Sequence, residues 1–373
     1  MRLIHISDTH LGYSFGTRIS ETGINQRTDD VMKVFDSLIK RIIEMKPDIL
    51  IHSGDLFDSV RPNNRVTDFT LERVRRLSEA GIETVLLSGN HSTPKLRETG
   101  SIFTLFDPER HRLPHIHPIY KGKYEKVEIG NTLIHCIPHS FSLLDEVEKV
   151  SPVQGYMNIM ILHAGIETIQ QFSHELNEVV LPESVLHPQM DYIALGHYHR
   201  SCKVRENAYY AGSIDRFSFN EVHDEKVFLE VCGDPPRILP HRIEGLRPMV
   251  DLSIDCSGLG VSEVISEIEG AHAMEKISDA IVRLTLNKLG EETYRALNFH
   301  KIREIFSDAM YFKLEPNLVA TTSISECQAS MMKPIIEQWD EFIKNQDLPK
   351  NKERVALLGR KYLERGENAD QEG

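Results

Sequence analysis

Five apolar stretches of this 373-residue chain close on the same chemistry. Residues 2 to 7 lead into Asp8-Thr9-His10, Asp48 to His52 into Gly54-Asp55, and Ile82 to Leu87 into Gly89-Asn90-His91. Further on, Asn158 to Leu162 leads into His163-Ala164-Gly165 and Tyr192 to Leu195 into Gly196-His197-Tyr198-His199. Glycine stands in four of the five, and it lets a backbone turn sharply and approach a ligand closely. Ligands bind at the carboxyl ends of strands in α/β sheets. Asp, His and Asn are oxygen and nitrogen donors that suit manganese, iron or zinc, and no thiolate occupies these positions. Each pattern alone is an ordinary turn or helix-entry signal. All five in this order, each after an apolar strand, point to a metal centre.

The sequence between these ends fits that frame. A helix is predicted from about 28 to 45, capped by Thr28, with Asp29 and Asp30 in its first turn and Val31, Val34, Phe35, Leu38, Ile39 and Ile42 at helical spacing. A second runs from Val66 to Ala80 and closes at Gly81. Strands alternating with helices in this way pair in parallel. From about 125 the pattern changes to short strands with turns between them, the last at Val227 to Val231, which predicts a second sheet packed on the first. The chain leaves this domain near Glu244 to Pro248. Residues 249 to 333 then read strand, helix, strand, helix, strand, with the second helical stretch from Glu292 to Asp308. Residues 334 to 373 offer two helical segments with Pro349 between them.

A net charge of -13 argues against a nucleic-acid partner, since phosphate binding rests on Lys and Arg. Basic residues nevertheless cluster at Arg61, Arg65, Arg73, Arg75 and Arg76 and at Lys121, Lys123 and Lys126, where the plain expectation is a solvated face. Five cysteines without a CxxC pair exclude a disulfide framework and a zinc ribbon. No apolar run is long enough to cross a bilayer, and MRLIHISDTH lacks the pattern of a secretory signal, so a cytoplasmic protein is expected.

The ordered series DTH, GDLFD, GNH, HAG and GHYH resembles the calcineurin-like metallophosphoesterases. The fuller forms DTHLGY (Asp8 to Tyr13) and HSGDLFD (His52 to Asp58), followed by a cap-sized domain, resemble the double-strand-break repair nucleases of the meiotic recombination eleven and SbcD type. The resemblance implies an α/β fold: a two-sheet β-sandwich flanked by helices over 1–245, a small α+β cap that binds DNA over 249–333, and a helical tail over 334–373. It implies two Mn2+ ions. Asp8, His10, Asp55 and His199 would hold one, and Asp55, Asn90, His163 and His197 the other, with Asp55 bridging. His91 would then be free to contact the scissile phosphate. The family pattern has an acidic residue after GNH where this chain has Ser92, so support for His91 must come from elsewhere. His52 is a candidate for such a supporting role, whereas His5, His115, His117, His135 and His139 are expected to serve the core or the surface.

The tail carries an apolar stripe of Ile335, Ile336, Trp339, Phe342 and Ile343 and a second of Val355, Leu358 and Tyr362. Either stripe could pack on the chain itself. The resemblance implies instead that they dock on the coiled-coil base of an ABC-type, SMC-like ATPase of the Rad-fifty class, with Trp339 as anchor. It also implies a homodimer through the helix at 66 to 80 and the Phe103 to Phe106 region. The activity implied is a manganese-dependent DNA nuclease, a 3′–5′ exonuclease on duplex ends and an endonuclease on single strands and hairpins. The rivals are a phosphatase or phosphodiesterase for small substrates with the same ligands, and a structural DNA-end scaffold with a degenerate site.

Overall fold

The computed structural model describes residues 1–169, 179–233, 235–319, Trp339, Ile343 and 354–360. Its strands are β1 (Arg2–Ile6), β2 (Ile49–His52), β3 (Glu83–Leu87), β4 (Ile116–Ile119), β5 (Glu125–Ile129), β6 (Thr132–Ile137), β7 (Met157–His163), β8 (Gly165–Ile166), β9 (Val180–Leu181), β10 (Tyr192–Gly196), β11 (Cys202–Arg205), β12 (Ala208–Tyr210), β13 (Val227–Cys232) and β14 (Arg237–Arg242). Two six-stranded sheets result, ordered β14-β13-β1-β2-β3-β4 and β11-β12-β10-β7-β6-β5. β1 to β4 pair in parallel, as do β6, β7, β10 and β12, so both sheets send their strand ends the same way.

The sheets meet face to face over a core to which the first contributes Leu3, Ile49, Ile51, Val85 and Leu87 and the second Ile134, Ile159, Ile161 and Ala194. Helices α1 (Gln26–Met45) and α2 (Asn64–Glu79) cover the outer face of the first sheet, where Val31, Phe35, Leu38 and Val74 pack on Ile4 and Leu50. This is the helix-flanked two-sheet sandwich expected from the sequence. Phe103 and Phe106, expected near a dimer face, lie fully buried in this helix-side core, where Phe106 stacks on Phe57. They cannot present themselves to a second copy.

Three local expectations are corrected. α1 is capped by Asn25, whose side chain accepts from the Arg27 amide, while Thr28 is buried and donates its hydroxyl to the Tyr13 carbonyl. β4 and β14, which the sequence reading does not contain, are the two edges of the first sheet, and each carries a proline (Pro118, Pro240). Proline removes a ladder donor, so it is confined to edges and hides the strand signal there. The helical stretch from Glu292 to Asp308 divides into Glu291–Ala296 and Phe299–Ile305, because the Asn298 side chain accepts from the His300 and Lys301 amides and starts a new helix.

Residues 249 to 318 build a three-stranded parallel sheet of β15 (Met249–Asp255), β16 (Ile281–Leu289) and β17 (Tyr311–Leu318) with its own core around Val264, Ile268, Leu284 and Ile302. It is tied to the sandwich at Asp30, whose carboxylate accepts from Arg247 Nε at 2.6 Å and Nη2 at 2.7 Å. Arg27, almost fully buried, reaches the same carboxylate and Asp215. Tyr311 of β17 packs on Phe15 at a ring distance of 4.5 Å.

In the tail, the Trp339 indole N–H donates to the Ala356 carbonyl at 3.1 Å, and Ile343 is buried. Val355 and Leu358 are exposed. Ile335, Ile336, Phe342 and Tyr362 lie outside the described residues.

Candidate metal centre

The strand ends converge where the two sheets' carboxyl edges meet. The loop after β1 and the loop after β2 are laced together: the amides of Asp8, His10 and Leu11 donate to the carbonyls of Gly54, Asp55 and Leu56, each at 3.0 Å. Four candidate ligands are held in the left-handed region to fit, with φ of 50° at Asp8, 42° at His10, 50° at Asp55 and 110° at His197. Asp and His tolerate this conformation better than most residues, yet it stores strain, and such strain gathers at functional sites. Glycine is required at 54, where φ is +120° and a Cβ would run into the His163 ring, and at 196, where it would meet Ser7, the Ser53 carbonyl and the same ring.

The side chains of these strand ends then come together in three overlapping groups. Donor atoms of Asp8, His10 and His199 lie within 4.8 Å of one another, as do those of His10, Asp55 and His91, and of Asp8, Asp55 and His163. Asn90 Oδ1 is 2.9 Å from His163 Nε2, and Asp55 Oδ2 is 3.1 Å from the same nitrogen. His197 closes the group: its ring lies 5.4 Å from that of His163, and its amide donates to both Asp8 carboxylate oxygens at 3.1 Å. Asp8, His10, Asp55 and His163 are all buried.

Proton placement tests whether this cluster suits cations. His10 Nδ1 faces the Asp58 carboxylate at 3.2 Å, His199 Nδ1 faces Glu221 at 3.1 Å, and His163 Nδ1 donates to the Ser53 carbonyl at 3.0 Å. In a neutral imidazole the nitrogen facing an acceptor carries the proton, so the other carries a lone pair. As neutral rings, His10 and His199 would face each other with Nε2 lone pairs 3.1 Å apart, and His163 would aim its Nε2 lone pair at two oxygens. Such an array is repulsive unless positive charge sits among its members, which is the condition a pair of divalent ions meets. Without ions the same need appears in the acid–base balance. Burial alone would lower His163, but the adjoining Asp55 charge pushes it up to about 9. Burial alone would raise Asp55, and His163, His10 and His91 instead hold it far below the usual carboxylate range.

His91 packs its ring edge-on to that of His10, 4.8 Å between centroids. Its amide donates to Asp55 Oδ1 at 3.0 Å, and its Nδ1 donates to the Asp58 carbonyl at 2.9 Å, which leaves Nε2 toward the open side. Asp58 thus serves His91 through its backbone and His10 through its carboxylate, and it supplies the support that Ser92 does not. Ser92 is buried, and its hydroxyl has no hydrogen-bond partner among the described residues. His52 pairs its Nε2 with the Thr9 hydroxyl at 3.0 Å, bracing the turn between Asp8 and His10.

Glu221 and Lys226 have no counterpart in the sequence reading. The Lys226 ammonium is buried and donates to Glu221 at 2.6 Å, and Glu221 in turn holds His199. Burial would raise the Glu221 carboxyl, but His199 and Lys226 hold it down to about 2. No spacing signal marks them, since Glu221 ends a single 3-10 turn, Phe219–Glu221, 22 residues beyond His199. His139 is the other miss. It lines the groove beside Asn90, His91, His163 and His197, and its Nδ1 has no partner among the described residues.

A family model described as calcineurin-like phosphoesterase matches residues 1–201. Several curated relatives bear the name "DNA double-strand break repair protein Mre11". That of Methanocaldococcus jannaschii is 30% identical over 238 residues, covering 61% of this chain and 60% of that protein. The Methanococcus maripaludis protein is 29% identical over 395 residues, covering 99% of this chain and 97% of its own length. The Methanopyrus kandleri protein is 26% identical over 250 residues, covering 61% and 51%.

Proposed function

The chain belongs to the calcineurin-like phosphoesterase family, whose members are dimetal enzymes, and on that footing we propose that it is a manganese-dependent DNA nuclease of double-strand-break repair. The observation that carries this reading is the set of inward-facing imidazole lone pairs, each fixed by a partner behind the ring. Asp8, His10, Asp55 and His199 would hold one Mn2+ and Asp55, Asn90, His163 and His197 the other, so that Asp55 would serve both. Bound there, the pair of ions supplies an activated water and a clamp on the phosphate oxygens of an in-line displacement. Asn90 adds an oxygen without adding charge. His91 contributes its Nε2 at the scissile phosphate, where it stabilises developing charge or protonates the leaving oxygen. Asp55 and Asp58 fix that ring in place from two directions.

The names of the curated relatives support DNA as substrate and break repair as setting. Within that setting the chain acts as a 3′–5′ exonuclease on duplex ends and an endonuclease on single strands and hairpins. It works as a homodimer bound to the SMC-like, Rad-fifty class ATPase through its tail, where the exposed Val355 and Leu358 offer apolar surface. The cap contributes DNA contacts. No helix among the described residues is long and apolar enough to cross a membrane, and the cytoplasm is the proposed compartment.

The test is cleavage of a linear duplex and of a single strand with Mn2+, with Mg2+ and with EDTA, beside a small phosphomonoester. Manganese-dependent loss of both DNA substrates is expected. Turnover of the phosphomonoester without DNA cleavage would assign the chain to the small-substrate branch, and inertness toward all three would leave a structural role.

A further inference from the structure

Phe141 is 89% exposed, the largest exposure of any phenylalanine among the described residues that the surface presents. It lies in the turn after β6 and lines a groove of about 1050 Å³ whose floor is Asn90, His91, His163 and His197. One exposed aromatic on a surface is ordinary. An exposed aromatic in the wall of the reaction groove is a binding element. The two residues before it, His139 and Ser140, line the same wall, and His139 Nδ1 and Ser140 Oγ are buried without a hydrogen-bond partner among the described residues. Arg61 and Lys95 stand in the groove as well, cations in a chain whose net charge is -13.

This wall suits a nucleotide: an open ring for a base and positive charge for backbone phosphates. Resting on the nuclease reading above, we infer that Phe141 stacks on an unpaired base of the strand being cut, next to the scissile phosphate. A base inside a duplex has both faces covered by its neighbours, so only a single strand or a frayed end can offer one to Phe141. The residue therefore favours unpaired substrate and is indifferent to sequence, since every base has a π face.

The experiment compares wild type, F141A and F141W on a single-stranded oligonucleotide, and on a strand of the same length in which every residue lacks its base. Removing one stacking aromatic costs on the order of tenfold in binding. F141A should thus raise KM for the normal strand about tenfold with metal content unchanged, F141W should restore it, and both variants should match wild type on the abasic strand. An F141A enzyme that cuts the normal strand like wild type, or that loses equally on the abasic strand, overturns the inference while leaving the nuclease reading intact. A wild-type chain that cuts no strand overturns the nuclease reading and this one with it.

Discussion

His10 and His199 meet Nε2 to Nε2 at 3.1 Å, with a carboxylate standing behind each ring: Asp58 behind His10 and Glu221 behind His199. Each carboxylate fixes the tautomer that leaves the inner nitrogen free to bind a cation, and losing such a support costs about 10–100-fold in metal affinity. D58A and E221A should both weaken Mn2+ binding by that order, measured by isothermal titration, and D58N and E221Q should recover most of it because an amide oxygen still accepts. The two alanine variants should differ in stability. Only E221A takes the nearest carboxylate from the buried Lys226 ammonium, which keeps the His199 carbonyl, the Ser213 hydroxyl and Asp224, so E221A should melt below D58A. Equal melting temperatures for D58A and E221A would contradict that division.

In the proposed ligand set His91 faces the groove and holds no ion. H91A should lower the rate of DNA cleavage by about 10²–10⁴-fold, the range for a positioned acid–base group, while metal content stays at the wild-type value. A fall in metal content parallel to the loss of rate would make His91 a ligand instead.

Acid stability has an identifiable contributor in His5. Its ring is buried between the Tyr192 hydroxyl and the Ser53 hydroxyl, each at 2.8 Å, and burial pushes it down to about 3 from an ordinary 6.5. Between those values the unfolded chain takes up a proton and the folded chain does not. The neutral ring's contribution is therefore complete above pH 6.5 and is lost as pH falls toward 3, at about 1.4 kcal/mol per pH unit. Denaturant unfolding of wild type and H5Q at several pH values should show the variant's slope smaller by that amount. Identical slopes would remove His5 from the account.

Arg247 should hold the cap against the sandwich. Its two contacts to Asp30 are nearly buried, and Arg27 and Gln26 keep Asp30 partnered when Arg247 is removed, so the loss falls on the attachment of the cap. R247A should expose the segment from Glu244 to Pro248 to protease and lower the melting temperature by several degrees. Wild-type resistance at that segment would mean that Phe15 and Tyr311 suffice.

The cluster of candidate ligands was legible because each member lies at or within a few residues of the end of an apolar strand, and strand direction then brings them to one edge. The likeness to calcineurin-like enzymes and to break-repair nucleases, drawn from those same residues, is borne out by the family model and by the relatives' names. Asp58 was half visible, quoted in GDLFD without a role. Glu221, Lys226 and His139 were invisible, since they reach the centre by tertiary packing and leave no periodicity. Edge strands β4 and β14 were hidden by their prolines, and the α1 boundary shifted because Asn25 outcompeted Thr28, whose hydroxyl is used elsewhere.

The central claim is that these strand ends hold two ions through one shared carboxylate, and it is tested most directly by counting metal. Wild type and D55A, purified and dialysed against Mn2+, would be analysed for manganese per chain. The account predicts two ions in wild type and the loss of both in D55A, since each site loses its shared ligand. A D55A protein that is folded and still binds two ions, or a wild type that binds none, would contradict it.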